Sequence, residues 1–428
     1  MPRRRPRSAA LPPATQQAPQ GPLADVRGGV RLAVDATRHI TGLVEALHGQ
    51  IQRLAPPLRG RAAAARPGAG DADGLPKARG LSGLVYRSIQ GSTRLVGQGL
   101  DRLLAPFDAA LADSREAPRR DAVVAALNGV LGDHLLRSGN PLAIPMQLRQ
   151  QGRPLDAGRW AGPAAPPPPR RLLLLVHGLC MSDGGWCRKG HDHGQRLGVA
   201  LGAEPVYAWY NTGRHISDNG ADLADALDHC LAHWPGPLDE IIIIGHSMGG
   251  LVARSAVEQA RQAGQVWPGR LRKLVFLGSP HHGAALERAG NSLHRWLDIS
   301  PYAAPFTRLS RIRSQGITDL RHGNLLARDW QGASRFDHGD KRQPLPLPAG
   351  VDCYAVASTA GRAGSAGARL GDGLVSVDSA LGRHPRAEMN LGLDADHCWV
   401  GHGIHHLDLL SDPLVYQRLL GWLCAEGL

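Results

Sequence analysis

The spacing of apolar residues changes twice along this 428-residue chain. Residues 1–22 have no apolar rhythm and are rich in Pro, Arg and Gln, the composition of a disordered basic tail. From Val26 the seam positions Val26, Val30, Ala33, Thr37, Ile40, Val44, Leu47, Ile51 and Leu54 step alternately by four and three. That is a heptad pattern, on a helix roughly 43 Å long. The stretch "PPLRGRAAAARPGAGDADGLP" ends it. A second helix is expected from about Leu81 to Leu111, with Val85, Ile89, Val96, Leu103 and Phe107 near one face. Gly91, Gly97 and Gly99 weaken that helix or admit a close neighbour. A third is expected over Asp121–Arg137. Residues 23–138 thus form an α-helical region, and 139–169 read as a linker whose end, "GPAAPPPPRR", is stiff and polyproline-like. Two readings of the helices stay open: a small bundle with the stripes as its core, or an amphipathic element for lipid, a polymer granule or a partner helix.

Beyond the prolines the rhythm becomes that of strands alternating with helices. "RLLLLVHG", "EPVYAWYNTG", "LDEIIIIGHS", "LRKLVFLGSP" and "VDCYAVAST" are short, apolar and rich in β-branched residues, and helical stretches separate several of them. This βαβ pattern predicts an α/β domain over 170–428: a mostly parallel sheet with helices on both faces, preceded by the α-helical N-terminal region.

Charge separates the same two parts. Residues 1–170 carry 24 Lys+Arg against 12 Asp+Glu, while residues 171–428 carry 25 of each, so the whole excess of +12 lies in the first part. No zinc-finger spacing or RNP-like motif accompanies it, and aromatic residues are only 4%, too few for a base-stacking platform. No nucleic-acid partner is expected. The "MPRRRPR" opening lacks a following apolar h-region, and no apolar run is long enough to span a bilayer. The expected location is cytoplasmic, with peripheral membrane or lipid-granule contact through the N-terminal helices as the open addition. The six cysteines (Cys180, Cys187, Cys230, Cys353, Cys398, Cys424) form no C-x-x-C pair. They are expected to be reduced and mostly buried, with Cys180–Cys187 the one pair close enough for a local disulfide.

Ligands of such sheets bind beyond the carboxyl ends of the strands, and the residues there carry chemistry. "GHSMG", Gly245–Gly249, fits G-x-S-x-G after a buried strand and before an apparent helix. In that context the serine, Ser247, sits on a tight turn, and Gly245, His246 and Gly249 complete the elbow. A serine hydroxyl needs a base and an orienting acid. Asp372 follows the strand "VDCYAVAST" and a glycine-rich loop; Asp378 is the alternative acid. Asp-Gly-Leu-Val reads as a turn entering an apolar stretch, which favours Asp372. His406 precedes the last apolar helix and is the expected base, with His402 and His405 as rivals. The oxyanion of a tetrahedral intermediate needs two backbone donors, the Met248 amide after the serine and the Leu179 amide in "VHGL", where His177 and Gly178 also lie.

Together "VHGL", "GHSMGG", "LGSPHHG", "GDGLVSV" and "GIHHLDLLSDPLVY" resemble the α/β-hydrolase superfamily in its lipase/esterase branch, including small bacterial triacylglycerol lipases and GPI inositol-deacylase-like hydrolases. The resemblance covers about residues 170–428. It implies Ser247 as nucleophile, His406 as base, Asp372 as its orienter and the Leu179 and Met248 amides as oxyanion hole, with no metal or organic cofactor. The activity implied is hydrolysis of carboxylic esters, of a lipid-like acyl class. Acyl transfer or thioester hydrolysis on the same scaffold is the alternative, as is a lipid- or granule-surface scaffold with a vestigial site. The first 170 residues have no counterpart in the minimal hydrolase, and 284–350 is a long insertion read as a cap or lid. Arg214 and His215 are candidates for steering substrate; His281 and His282 are candidates for shaping the loop behind the site or touching the leaving group. "GHDHG", Gly190–Gly194, has too few partners for a metal site. Substrate length and oligomeric state have no signal in the sequence.

Overall fold

The computed structural model describes residues 28, 31, 117–156, 160, 167, 169–283, 314–332, 342–364 and 371–424. The chain divides into two compact units, one of Met1–Ser114 with Ser138–Leu142, the other of Arg115–Arg137 with Ala143–Leu428. In the first, Gly28 and Arg31 are helical, and the rest of the two helices expected from the sequence before residue 112 falls outside the described residues. Gly28 is closed in: a Cβ there would lie 2.2 Å from Leu142 Cγ. Its carbonyl accepts from Asn140 Nδ2 (3.0 Å), and Arg31 Nη1 donates to the Gly139 carbonyl (2.6 Å).

The second unit is built on an eight-stranded sheet. In chain order the strands are β1 (Gln147–Gln150), β2 (Arg153–Pro154), β3 (Arg171–Val176), β4 (Glu204–Trp209), β5 (Glu240–His246), β6 (Leu271–Leu277), β7 (Asp352–Thr359) and β8 (Cys398–His402). In space they run β2-β1-β4-β3-β5-β6-β7-β8. The pairings of β1 are antiparallel and all others are parallel. The helices are α1 (Ala117–Arg137), α2 (His193–Leu201), α3 (Ile216–Ala232), α4 (Met248–Ala263), α5 (Gln315–His322), α6 (Ala327–Trp330), α7 (Val377–Ala380) and α8 (Pro413–Cys424).

The isoleucine run shows why the sheet is covered on both sides. Successive strand residues point to opposite faces. Ile241 and Ile243 enter one core with residues of α1, α3 and α4, while Ile242 and Ile244 enter the other with Leu197 and Leu201 of α2 and Val415 and Leu419 of α8. Leu172 to Val176 of β3 divide the same way. Full burial of each such side chain contributes about 1.5–3 kcal/mol, which makes this central pair of strands the anchor of the fold.

Three strands were not visible in the apolar pattern. β1 and β2 lie inside the stretch read as a linker, and β8 lies in the tail. All three are short, and β1 and β2 are polar. β1 is held instead by pairing to β4 and by Arg149, whose guanidinium stacks on Trp209 (4.2 Å) and reaches Asp121 (2.8 Å) and Asp183 (3.6 Å). Asp121 stands on α1, and that helix groups with the sheet.

Small residues let α1 approach. A Cβ on Gly129 would lie 2.2 Å from Cys180 Sγ, and one on Gly132 would lie 1.8 Å from Asn211 Oδ1. Asn211 Nδ2 donates to the Gly132 carbonyl (2.9 Å), and Asn128 Oδ1 accepts from the Ile144 amide (3.0 Å). The loops after β3 and β4 therefore rest on α1.

Of the insertion at 284–350, residues 284–313 and 333–341 lie outside the described residues. Within the described part, α5 is anchored: Ser314 Oγ donates to the Gly129 carbonyl (2.7 Å), and the Gly316 amide donates to the Gly213 carbonyl (3.1 Å). The six cysteines are free, but only Cys180 and Cys353 are buried, because Cys187 and Cys424 sit on exposed positions. No helix among the described residues is long and apolar enough to cross a membrane.

Candidate active site

The strand-to-helix turn at Ser247 is set by close backbone approach. Ser247 has φ 55° and ψ −122°, a conformation that residues with side chains seldom adopt. Around it there is no room. A Cβ on Gly245 would lie 2.4 Å from Gly250 Cα, and one on Gly249 would lie 2.0 Å from the Val176 carbonyl oxygen. The Ser247 amide donates to the Leu277 carbonyl (2.8 Å), which ties the turn to the end of β6. Its hydroxyl is not used as a helix cap, and Ser247 Oγ is buried with no hydrogen-bond partner among the described residues.

Asp372 and His406 meet across 34 residues. His406 Nδ1 lies 2.8 Å from Asp372 Oδ2, and both side chains are buried. A carboxylate only accepts, so Nδ1 carries the proton. The other contacts of Asp372 fix its plane: Ser358 Oγ donates to Oδ2 (3.1 Å), and the amides of Leu374 (3.0 Å) and Val375 (2.9 Å) donate to Oδ1. Burial by itself would raise the Asp372 pKa. The His406 imidazole and the amide donors outweigh it, and the carboxyl is held below its ordinary range. Asp378 is exposed, on the first turn of α7, and pairs with Arg383 (3.8 Å). Among the tail histidines, His402 and His405 are exposed and His406 is buried.

The two halves of the site adjoin. Gly278, directly after the Leu277 carbonyl that receives the Ser247 amide, would with a Cβ meet His406 Cε1 at 3.1 Å. His246 Nε2 donates to the His406 carbonyl (3.2 Å), and the two rings lie 4.8 Å apart. Burial, reinforced by the neighbouring His406, lowers the His246 pKa to about 3 and keeps it a neutral donor. On the β3 side, a Cβ on Gly178 would lie 3.0 Å from Ser247 Cβ, which places the "VHGL" loop against the serine. The Cys180 amide donates to Thr212 Oγ1 (3.2 Å), and Tyr210 Oη donates to the His177 carbonyl (2.5 Å), so this loop is held from β4. The first amides of α4, beginning with Met248, have no acceptor within their own helix.

The remaining candidates stand apart from this group. Arg214 pairs with Asp222. His215 Nδ1 is 2.8 Å from Asp319 Oδ2, and its ring stacks on Trp330 at 3.7 Å. The contacts of His281 and His282 run to Arg254, Phe276, Ser379 and His384. His191 and His193 bond to each other (2.7 Å), and no group of three metal-ligating side chains occurs among the described residues. Sequence reasoning missed Ser358 and the structural part played by His246. Ser358 had a weak signal, a hydroxyl at the carboxyl end of an apolar strand.

Residues 210–340 match the family model of the PGAP1-like alpha/beta domain. Among solved structures, the lipase BlEst2 of Bacillus licheniformis is 18% identical, with 62% of this chain and 96% of that chain covered and a TM-score of 0.40. The esterase of Pyrobaculum calidifontis is 13% identical, covering 71% and 90%, with a TM-score of 0.36. A lipase-esterase related protein from Clostridium acetobutylicum is 12% identical, covering 59% and 93%, with a TM-score of 0.33. No curated protein sequence matches the chain. The order of its parallel strands and the turn at residue 247 give this chain an α/β-hydrolase-like fold, and residues 210–340 are similar to the PGAP1-like alpha/beta domain.

Proposed function

We propose that this protein is a serine-dependent carboxylic ester hydrolase. The observation that carries the reading is the buried 2.8 Å bond between His406 Nδ1 and Asp372 Oδ2, in a site adjoining a strained serine whose hydroxyl has no other use. In the proposed cycle His406 Nε2 takes the Ser247 proton as Oγ attacks the ester carbonyl. Asp372 keeps Nδ1 protonated and stabilises the imidazolium. The Leu179 and Met248 amides receive the oxyanion. Collapse of the tetrahedral intermediate breaks the ester C–O bond, and the alcohol departs with the proton from His406. Water, deprotonated by the same nitrogen, then frees the acid and regenerates Ser247.

Lipid-like acyl esters are the proposed substrate class, with the insertion at 284–350 as the proposed cap. A p-nitrophenyl ester series from acetate to palmitate tests both levels. Hydrolysis should vanish in Ser247→Ala together with fluorophosphonate labelling, and the chain-length profile should favour the longer esters. Wild-type turnover by Ser247→Ala would falsify the mechanism. A profile that peaks at acetate overturns only the substrate class.

A further inference from the structure

The motif "GHDHG", Gly190–Gly194, opens α2 and faces the loop that carries His406. Its own support comes from the sheet. Asp192 Oδ1 accepts from the Gln195 amide (3.0 Å) and from Tyr207 Oη (2.8 Å) on β4. A Cβ on Gly194 would lie 2.6 Å from Tyr207 Oη and 2.9 Å from Leu175 Cδ2 on β3, so the start of α2 cannot shift freely. Just before it, the backbones of Arg188 and His191 exchange two hydrogen bonds (2.8 and 2.9 Å), with Lys189 (φ 52°) and Gly190 (φ 74°) between them. Two positive φ values mark a tight hairpin turn, whose usual first residue is Asn, Asp or Gly. A lysine there stands against its backbone preference.

From this support three side chains reach the segment after His406. Lys189 Nζ lies 2.7 Å from Asp408 Oδ1, with Arg188 Nη2 at 3.7 Å. The Lys189 ammonium holds the Asp408 carboxyl below its ordinary range. Buried His193 donates from Nε2 to the Leu409 carbonyl (2.9 Å). A neutral imidazole has one donor and one acceptor, so Nδ1 accepts, and His191 Nε2 supplies the proton at 2.7 Å. Both nitrogens of His193 are thus committed, and the ring keeps no lone pair for a metal. Burial lowers the His193 pKa to about 4, which keeps this arrangement at neutral pH. Tyr416 of α8 lies parallel to the His193 ring (7°, 6.0 Å) and meets His191 edge-on (5.4 Å).

A displacement at residue 409 is felt at residue 406. The segment is wound tightly: the Asp408 amide donates to the His405 carbonyl (2.9 Å) and the Leu410 amide to the Leu407 carbonyl (3.3 Å). Both side chains also press on one glycine, since a Cβ on Gly278 would lie 2.8 Å from Leu409 Cδ1 and 3.1 Å from His406 Cε1. His246 holds the near end through the His406 carbonyl, but it adjoins Ser247 and any change there disturbs the turn as well. We infer that His193, helped by Lys189 on Asp408, is a positioning residue for His406: it fixes the main chain three residues beyond the imidazole and so sets where that ring stands beside Ser247. The inference rests on His406 being the base of the proposed hydrolysis.

Hydrolysis of p-nitrophenyl butyrate and the rate of fluorophosphonate labelling, measured on the full-length wild type and three variants, test it. His193→Leu fills the space without a donor. It should lower kcat by about ten- to hundredfold with KM little changed, the effect of displacing a reacting group by about 1 Å. Labelling should slow in parallel, whereas a loss of stability alone lowers the active fraction and leaves the rate constant of the folded molecules as it was. His193→Gln, whose amide can donate from a place close to Nε2, should recover most of the loss. Lys189→Met, at an exposed position, should fold as the wild type does and lower kcat by about two- to fivefold, the size of a surface ion pair. A wild type that neither hydrolyses the ester nor labels overturns the proposed function and this inference with it. Normal wild-type turnover with unchanged kcat in folded His193→Leu overturns the inference alone, and unchanged kcat in Lys189→Met does so where the first variant fails to fold.

Discussion

Ser247 is held in its strained backbone conformation because its neighbours leave no alternative path. The nearest obstacle to a side chain at position 249 is the Val176 carbonyl oxygen, a main-chain atom of the central strand β3 that cannot rotate away. Gly249→Ala should therefore destabilise the protein by about 1–3 kcal/mol, the usual range for overpacking. It should also lower the proposed ester hydrolysis far more than that loss explains, because the turn carries the proposed nucleophile; a urea midpoint and kcat/KM on one preparation separate the two effects. Asp372 gives a different outcome. Asp372→Asn keeps the shape but lets the amide donate to Nδ1, which favours the wrong imidazole tautomer. The expectation is a fall in kcat on the order of 10⁴ with KM little changed. A fall confined to KM would remove Asp372 from the site. At this scale much was legible: a glycine-flanked serine after a buried strand names its own turn, and an aspartate after a strand and a histidine before the last helix follow from chain order. Ser358 and His246 were not legible. Their parts arise from contacts across 14 and 160 residues, and a hydroxyl or imidazole in those places has no distinguishing local pattern.

Among the elements, α1 changes the domain picture most. Its apolar stripe and its end near Arg137 were readable, but not its docking site on the loops that follow β3 and β4. The signal lay in Gly129 and Gly132, which in isolation only weaken a helix. In the structure they are the points where Cys180 and Asn211 press in. Gly132→Ala must displace Asn211 Oδ1, which accepts the Gly213 amide (3.1 Å). The variant should lose about 1–3 kcal/mol of stability and should reduce kcat, since the "VHGL" loop adjoins the same helix. A chain beginning at Ala143 goes further. It strips Asp121 from the buried Arg149 and removes the surface under both loops, and it should be recovered unfolded or aggregated. Soluble, active protein from that truncation would show that the sheet does not need α1. The unforeseen strands β1, β2 and β8 share one cause. They are two to five residues long, β2 and β8 lie at the edges of the sheet, and β1 between β2 and β4 is held by pairing and the Arg149 guanidinium, so their periodicity is too faint to read.

Across the whole second unit, acid acts through histidines that the fold keeps neutral. His177, His193, His246 and His281 are buried. Burial is the chief cause that lowers their pKa values, to about 4 for His177 and His193, about 3 for His246, and well below the ordinary value for His281. Hydrogen bonds identify the neutral form: His193 Nε2 donates to the Leu409 carbonyl (2.9 Å), which leaves Nδ1 to accept from His191 Nε2. Their unfolded counterparts bind protons near pH 6.5. Between that value and the folded pKa the unfolded chain holds more protons, so stability is complete above about pH 6.5 and falls as the pH drops toward about 4. Each excluded proton weakens the fold by about 1.4 kcal/mol per pH unit over that window, so two such residues already remove a sizeable part of the 5–15 kcal/mol typical of a domain. Asp372 acts in a separate window: its lowered pKa adds stability above about pH 4 that disappears only below it. Urea midpoints across the pH range should be level above about pH 7 and decline steeply from about pH 6.5. A midpoint that stays level down to about pH 4.5 would mean that these histidines take up protons without unfolding, and the closed packing around His177 and His246 would have to open in acid.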